Sequence, residues 1–250
     1  MRPDASKKIA TVTPKSGPNV VVIGAVIAVV VVLAVVVAIV IGNNSKPGGP
    51  TGGSAQSVPL GVVGGTGGGI LVNSTPPKSN VPTLDVYADF QCPNCGKFEK
   101  AFGPTMAAMA KAGEVKYVVH MMSFLDLNLP GSNDSSKRAT NAAGCAADAG
   151  KFGEYASAVF AAQPAQEGAG YTDAQLTEFA KTVGITGPAL TTWQKCTTSG
   201  QHNQYVADVE TASGKAGVTG TPTVKLNGKV ITDTLTTPEA LVAAVKAATS

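Results

Sequence analysis

The sequence has no dense run of lysine or arginine, no second C-x-x-C, no H-x-x-x-H, and only two histidines, His120 and His202, far apart in the chain. A formal net charge of +3 with no basic cluster gives no footprint for nucleic acid. Structural zinc asks for four ligands, and one C-x-x-C with two isolated histidines does not supply them, so no metal site is expected. The glycines at 64–69 lack the G-x-G-x-x-G spacing and no helical pattern follows them. They read as a turn or linker, not a phosphate cradle, and no cofactor is expected. No repeat of fixed period is visible. Aromatic residues are only 5%, while much of the 29 Gly and 16 Pro lies before residue 83. That leaves roughly 170 residues, enough to bury one core.

What is present begins with a long apolar run. Residues 20–41 contain only Val, Ile, Leu, Ala and a single Gly. As a helix the run is roughly 33 Å long at about 1.5 Å per residue, which crosses a bilayer core. Its Val and Ile favour strands in water, but a lone strand in lipid leaves backbone groups unpaired, so a helix is imposed. Arg2, Lys7, Lys8 and Lys15 precede the run against one acid, Asp4, and only Lys46 follows closely. The charge bias places residues 1–19 in the cytoplasm and the rest outside. The run exceeds the core of a cleaved signal and no A-x-A pattern directly follows it, which favours an uncleaved single-pass anchor. Either form exports the body of the chain, where disulfides persist.

Residues 42–80 read as a Gly/Pro/Ser-rich linker, with apolar runs at 58–63 and 70–72 that fit an edge hairpin across 64–69. Residues 83–89 (TLDVYAD) read as a strand, 93–112 as a helix opened by Pro93 and ended by Gly113, and 114–124 as a second, buried strand. Strand, helix, strand argues for a parallel pair with a right-handed crossover. Helices are expected over about 135–149, 151–162, 172–183, 188–199 and 203–216. Residues 223–226 and 229–231 flank Asn227-Gly228, a strong hairpin signal, and a last helix is expected from Thr237 to about 248.

The chemistry lies in the cysteines. Cys92 stands where a strand hands over to a helix, so its sulfur faces unpaired N–H groups that favour the thiolate. Cys95, one turn on, is better covered. Attack on a disulfide therefore falls to Cys92, and Cys95 resolves the mixed disulfide. Cys145 and Cys196 lie on different expected helices, and in an oxidising space two such cysteines are expected to pair. His120 and Trp193 read as packed core residues, and Met106, Met109, Met121 and Met122 as core or the apolar rim of a groove.

The string Asp89-Phe90-Gln91-Cys92-Pro93-Asn94-Cys95, continued by Phe98-Glu99, resembles the active-site segment of DsbA-like thiol–disulfide oxidoreductases. Val218-Thr219-Gly220-Thr221-Pro222-Thr223 resembles that family's second signature, a loop whose proline is cis and faces the redox cysteines. The resemblance covers roughly residues 80–250. It implies an α/β thioredoxin fold over residues 81–250 with a helical subdomain inserted at about 131–205. It also implies that Pro93 and Asn94 tune the potential and that Thr221-Pro222 docks an extended substrate. The implied activity is oxidation of cysteine pairs in exported proteins, with reoxidation by a quinone-linked membrane partner. A reductase or isomerase on the same fold and an anchored binding module are the alternatives. Isomerases of this kind dimerise through a separate N-terminal domain, for which the 42–80 stretch is poor material, so a monomer is expected. One departure stands out: where many thioredoxin-like proteins carry a buried acid six residues before the first cysteine, this chain has Val86. Asp85 and Asp89 lie an odd number of residues from Val86, on the other face of a regular strand.

Overall fold

A computed structural model describes residues 56–129 and 134–249. The expected anchor at 20–41, the cytoplasmic segment 1–19 and the first part of the linker lie outside the described residues. Among the described residues no helix is long and apolar enough to cross a membrane.

In chain order the elements begin with β1 (Val62–Val63), β2 (Gly69–Leu71), β3 (Thr83–Ala88), helix α1 (Pro93–Lys111) and β4 (Lys116–Met121). The helices α2 (Phe124–Asn128), α3 (Ser135–Asp148), α4 (Phe152–Ala161), α5 (Asp173–Thr182), α6 (Gly187–Ser199) and α7 (Asn203–Lys215) follow. The chain then returns through β5 (Thr223–Leu226), β6 (Lys229–Val230), a short 3-10 turn and α8 (Pro238–Thr249). The six strands form one sheet in the order β1-β2-β4-β3-β5-β6. Only β3 and β4 are parallel, joined by α1 as the crossover. Val86 lies opposite Val119 and Tyr87 opposite His120. The pair is central, and Tyr117, Val118 and Val119 in succession are buried, as a strand covered on both faces requires. This is a mixed α/β thioredoxin-like fold with a helical insertion between β4 and β5.

The hairpin expected in the linker is present as β1 and β2, which add to the sheet at β4. The glycines between them form the turn. Gly64 and Gly65 take positive φ, and a Cβ on Gly67 would stand 2.7 Å from the Asp208 carbonyl oxygen of α7. The close passage of α7 leaves no room for a side chain there.

The insertion packs on α3, a helix of small residues buried along nearly its whole length, which touches α4, α6 and α7. Cys145 of α3 and Cys196 of α6 are joined in a disulfide. Trp193 is buried beside it, its indole N–H donating to the Ala142 carbonyl at 3.1 Å. Thr172 and Gln175 form a reciprocal capping box at the start of α5, and Gly200 ends α6 in the left-handed conformation. The four methionines at 106, 109, 121 and 122 are all core residues. The strand expected over 114–124 is shorter, because its last residues turn into α2.

Candidate active site

β3 lies at the centre of the sheet between β4 and β5, and after Ala88 the chain turns within four residues into α1. Cys92 is the N-cap of that helix and Pro93 occupies its first turn, where a missing N–H costs nothing. Cys92 and Cys95 are free thiols, 6% and 1% exposed. Asn94 is exposed. The Thr221-Pro222 peptide bond is cis, and the loop faces the turn, with the Thr221 carbonyl 3.3 Å from Cys92 Sγ. The redox turn 92–95 and the Thr221-Pro222 loop are therefore brought together through Thr221, and the Cys145–Cys196 disulfide lies apart in the insertion.

The two thiols sit in opposite electrostatic states. Cys92 is lowered to about 6, first by a hydrogen bond from the Cys95 thiol, against the opposing effect of burial, and further by Thr221 and the backbone N–H groups of Cys95 and Asn94. The strand-to-helix junction does supply donors, but the largest contribution comes from the partner cysteine. Cys95 is pushed far up, chiefly by burial and then by the same hydrogen bond seen from the donor side. One sulfur is thus poised as a thiolate and the other held as a thiol.

The turn is pinned to the insertion by residues that the strand pattern does not reveal. Gln163, just beyond α4, donates from one amide nitrogen to the carbonyls of Phe90 at 2.8 Å and Cys92 at 2.9 Å. A Cβ on Gly96 would collide with that amide, so the glycine in C-P-N-C-G makes room for it. Tyr171 adds its hydroxyl to the Phe90 carbonyl at 2.9 Å. Asp89 is fully buried, its carboxylate accepting from Gln91 N, Leu125 N and the Ser136 hydroxyl at 2.8, 2.9 and 2.6 Å. Burial, with a smaller contribution from nearby Asp126, raises Asp89 to about 7 against the effect of those donors.

His120 is not a base at this site. It stacks on Tyr87 at 4.2 Å and pairs with Asp85 at 2.9 Å. His202 is not isolated in space: it is fully buried, with Ser57 O 2.8 Å from one ring nitrogen and Asp148 Oδ2 2.9 Å from the other. Among the described residues, the one group of three metal-ligating side chains is Cys145, Cys196 and His202, and both sulfurs there are spent in the disulfide.

A thiolate at a helix start, a buried partner thiol one turn on and a cis-proline loop opposite define a dithiol–disulfide exchange protein on a thioredoxin fold. The family model described as "Thioredoxin" matches residues 77–247. The reduced form of the disulfide bond oxidoreductase DsbG from Mycobacterium tuberculosis is 31% identical, over 68% of this chain and 84% of that one, with a TM-score of 0.57. Reduced DsbA from Mycobacterium tuberculosis is 30% identical over 78% of this chain and 92% of that one, also at 0.57. The thiol–disulfide oxidoreductase MdbA from Actinomyces oris, at 19% identity over 76% and 92% with a TM-score of 0.64, shares the fold. No curated protein matches the chain. The chain belongs to the DsbA-like thiol–disulfide oxidoreductases of the thioredoxin family.

Proposed function

We propose that the protein oxidises cysteine pairs of exported proteins, acting outside the cell membrane from a single N-terminal anchor at residues 20–41. The observation that carries this reading is the asymmetry of the pair, with Cys92 lowered to about 6 and Cys95 raised by burial. Whatever favours the Cys92 thiolate stabilises the dithiol form, and a protein whose dithiol form is favoured passes its disulfide on. A substrate thiolate attacks Cys92 Sγ of the bonded form, a mixed disulfide forms and Cys95 leaves. The second substrate thiol then attacks the mixed disulfide and releases the substrate oxidised. Thr221 and Pro222 border Cys92, where an extended substrate segment docks through its backbone. The resemblance to the family supplies the rest of the reading: a monomer, reoxidised by a quinone-linked membrane partner. The Cys145–Cys196 disulfide suits an oxidising compartment.

Trapping tests the roles. In cells, a Cys95→Ala variant of the full chain should accumulate mixed disulfides with exported proteins, and a Cys92→Ala variant should accumulate none. Adducts on Cys95 in the Cys92→Ala variant would exchange the roles. Protease added outside spheroplasts should degrade the Cys-containing domain, and protection of that domain would place it in the cytoplasm.

A further inference from the structure

We propose that Cys145, Cys196 and His202 form a redox-gated cation site: with both cysteines as thiols the insertion holds a thiophilic divalent cation of the zinc class, and closure of the disulfide expels it. The site is independent of the roles of Cys92 and Cys95.

The two sulfurs and one ring nitrogen of His202 lie within 4.8 Å of one another. Cys145 is in the last turn of α3, Cys196 in the last turn of α6, and His202 is the N-cap of α7, so three helices converge on the cluster. Cys145 and Cys196 are 2% and 5% exposed, and His202 has no exposed surface. Two thiolates at about 2.3 Å and an imidazole at about 2.0 Å from one tetrahedral cation stand roughly 3.5–3.8 Å apart. The cluster therefore needs only the sulfur–sulfur bond opened to reach that geometry.

The histidine is oriented as a ligand. Its Nδ1 is 2.8 Å from the Ser57 carbonyl oxygen, which only accepts, so Nδ1 carries a proton and Nε2 is the nitrogen left to offer a lone pair. A Cβ on Gly144 would stand 2.9 Å from Cδ2, the ring carbon beside Nε2, so that edge of the ring faces α3, the helix that carries Cys145. Metal-bound histidines are held in this way, one nitrogen toward the donor set and the other fixed by a carbonyl or carboxylate. The backbone is fixed as well, His202 N donating to Asn141 Oδ1 at 2.9 Å. Asp148 supplies the fourth ligand. It follows Cys145 by three residues on α3, its Oδ2 lies 2.9 Å from Nε2, and its Oδ1 accepts from Leu60 N at 2.9 Å. Nitrogen and oxygen on one tetrahedral cation stand roughly 3.3 Å apart, so Oδ2 has only a few tenths of an ångström to move. A donor set with two thiolates and an imidazole selects zinc-class ions over calcium and magnesium, which take oxygen ligands.

Cysteines enter the chain as thiols, so the dithiol state precedes the disulfide in every molecule. A divalent cation binding there displaces one proton from each sulfur to solvent. An external disulfide then opens the site. One cysteine thiolate attacks it, a mixed disulfide forms and one external thiolate leaves; the second cysteine sulfur attacks the mixed disulfide and releases the other. The Cys145–Cys196 bond is made, the external disulfide is reduced to two thiolates, and the cation, deprived of two ligands, departs. α3 and α6 are thus stapled in both states, first by the cation and then by the sulfur–sulfur bond.

The test is titration with cobalt(II) and zinc(II) of the full-length protein carrying Cys92→Ser and Cys95→Ser, which removes the other thiols. The bonded form is compared with the form reduced by a phosphine that is then removed without air. The dithiol form should take up one cobalt per chain with the visible bands of a tetrahedral thiolate site, zinc should displace it, and the bonded form should take up none. His202→Ala and Asp148→Asn should each weaken zinc binding by at least about 10-fold. Zinc should raise the urea midpoint of the dithiol form and leave that of the bonded form unchanged, which separates a folded site from the cysteines of an unfolded chain. No uptake by the dithiol form, equal uptake by both forms, or wild-type zinc affinity in His202→Ala overturns the proposal. Should His202→Ala fail to fold, Asp148→Asn decides, and an unchanged affinity in that variant is the contrary result.

Discussion

The chain holds two cysteine pairs that the same fold treats in opposite ways. Cys145 and Cys196 come from the last turns of two packed helices, far apart in sequence, and their disulfide is a staple within the insertion. Cys92 and Cys95 belong to one helical turn, and their environments differ, with one sulfur fed by hydrogen-bond donors and the other cut off from solvent. Sulfur chemistry is common to both pairs. Position decides: a junction between strand and helix makes a reactive pair, and the interior of a helical bundle makes an inert one.

The sharpest way to break this contrast is to remove each pair in turn. Cys92→Ser should lower turnover by ~1,000-fold or more, the scale on which removing a nucleophile acts. The double variant Cys145→Ala, Cys196→Ala should turn over at close to the wild-type rate at a temperature where it is folded. A catalytic loss in the second variant matching the first would erase the distinction.

The insertion pair should show itself in stability. Its bond spans a sequence separation of 51, and closing a loop of that size stabilises by about 4 kcal/mol in the chain-entropy model. Urea unfolding of the double variant against wild type, with Cys92 and Cys95 in the same redox state, measures it. A midpoint unchanged by the substitutions would contradict the staple.

Asp89 links the two regions, and its pH dependence has a defined sign. Its folded value of about 7 lies above the ordinary carboxyl value, so the native state holds the proton more tightly than the unfolded chain. Stability is therefore lost as pH rises between those values, by roughly 2–3 kcal/mol from about pH 5 to about pH 8. The measurement belongs on the Cys92–Cys95 bonded form. In the dithiol form Cys92, lowered to about 6, contributes in the opposite direction, adding stability as pH rises above that value. Asp89→Asn should flatten the decline in the bonded form. A slope identical in both proteins would mean that Asp89 stays ionised in the fold.

The smallest effect is expected at Gln163. Gln163→Ala removes two hydrogen bonds between the insertion and the redox turn and should lower stability by about 1–2 kcal/mol. An unchanged unfolding midpoint would show that Tyr171 alone holds the Phe90 carbonyl.

How much of this was legible in the sequence follows from the range of the interactions involved. The central strands, the crossover helix, the hairpin at Asn227-Gly228 and the helix start at Thr172 are local, and local patterns announce them. The short helix α2 interrupts an apolar run whose pattern reads on as strand. Strand alternation puts Asp89 on the face opposite Val86, but β3 ends at Ala88, so the alternation no longer applies and the carboxyl enters the insertion. Gln163 reaches the turn from 71 residues away, and nothing beside it in sequence marks it. At the site, motif and order brought Cys92, Cys95, Thr221 and Pro222 into view together. The polar shell that fixes their geometry is long-range and was not visible.

The reduction potential of the Cys92–Cys95 couple bears most directly on the claim that thiolate stabilisation makes this protein an oxidant. It is measured by equilibrating the full-length protein with glutathione buffers while the Cys145–Cys196 bond stays closed. The account requires a value above that of thioredoxin, about −270 mV, where each 30 mV corresponds to about 1.4 kcal/mol for two electrons. A value at or below thioredoxin's would contradict it and make the protein a reductase.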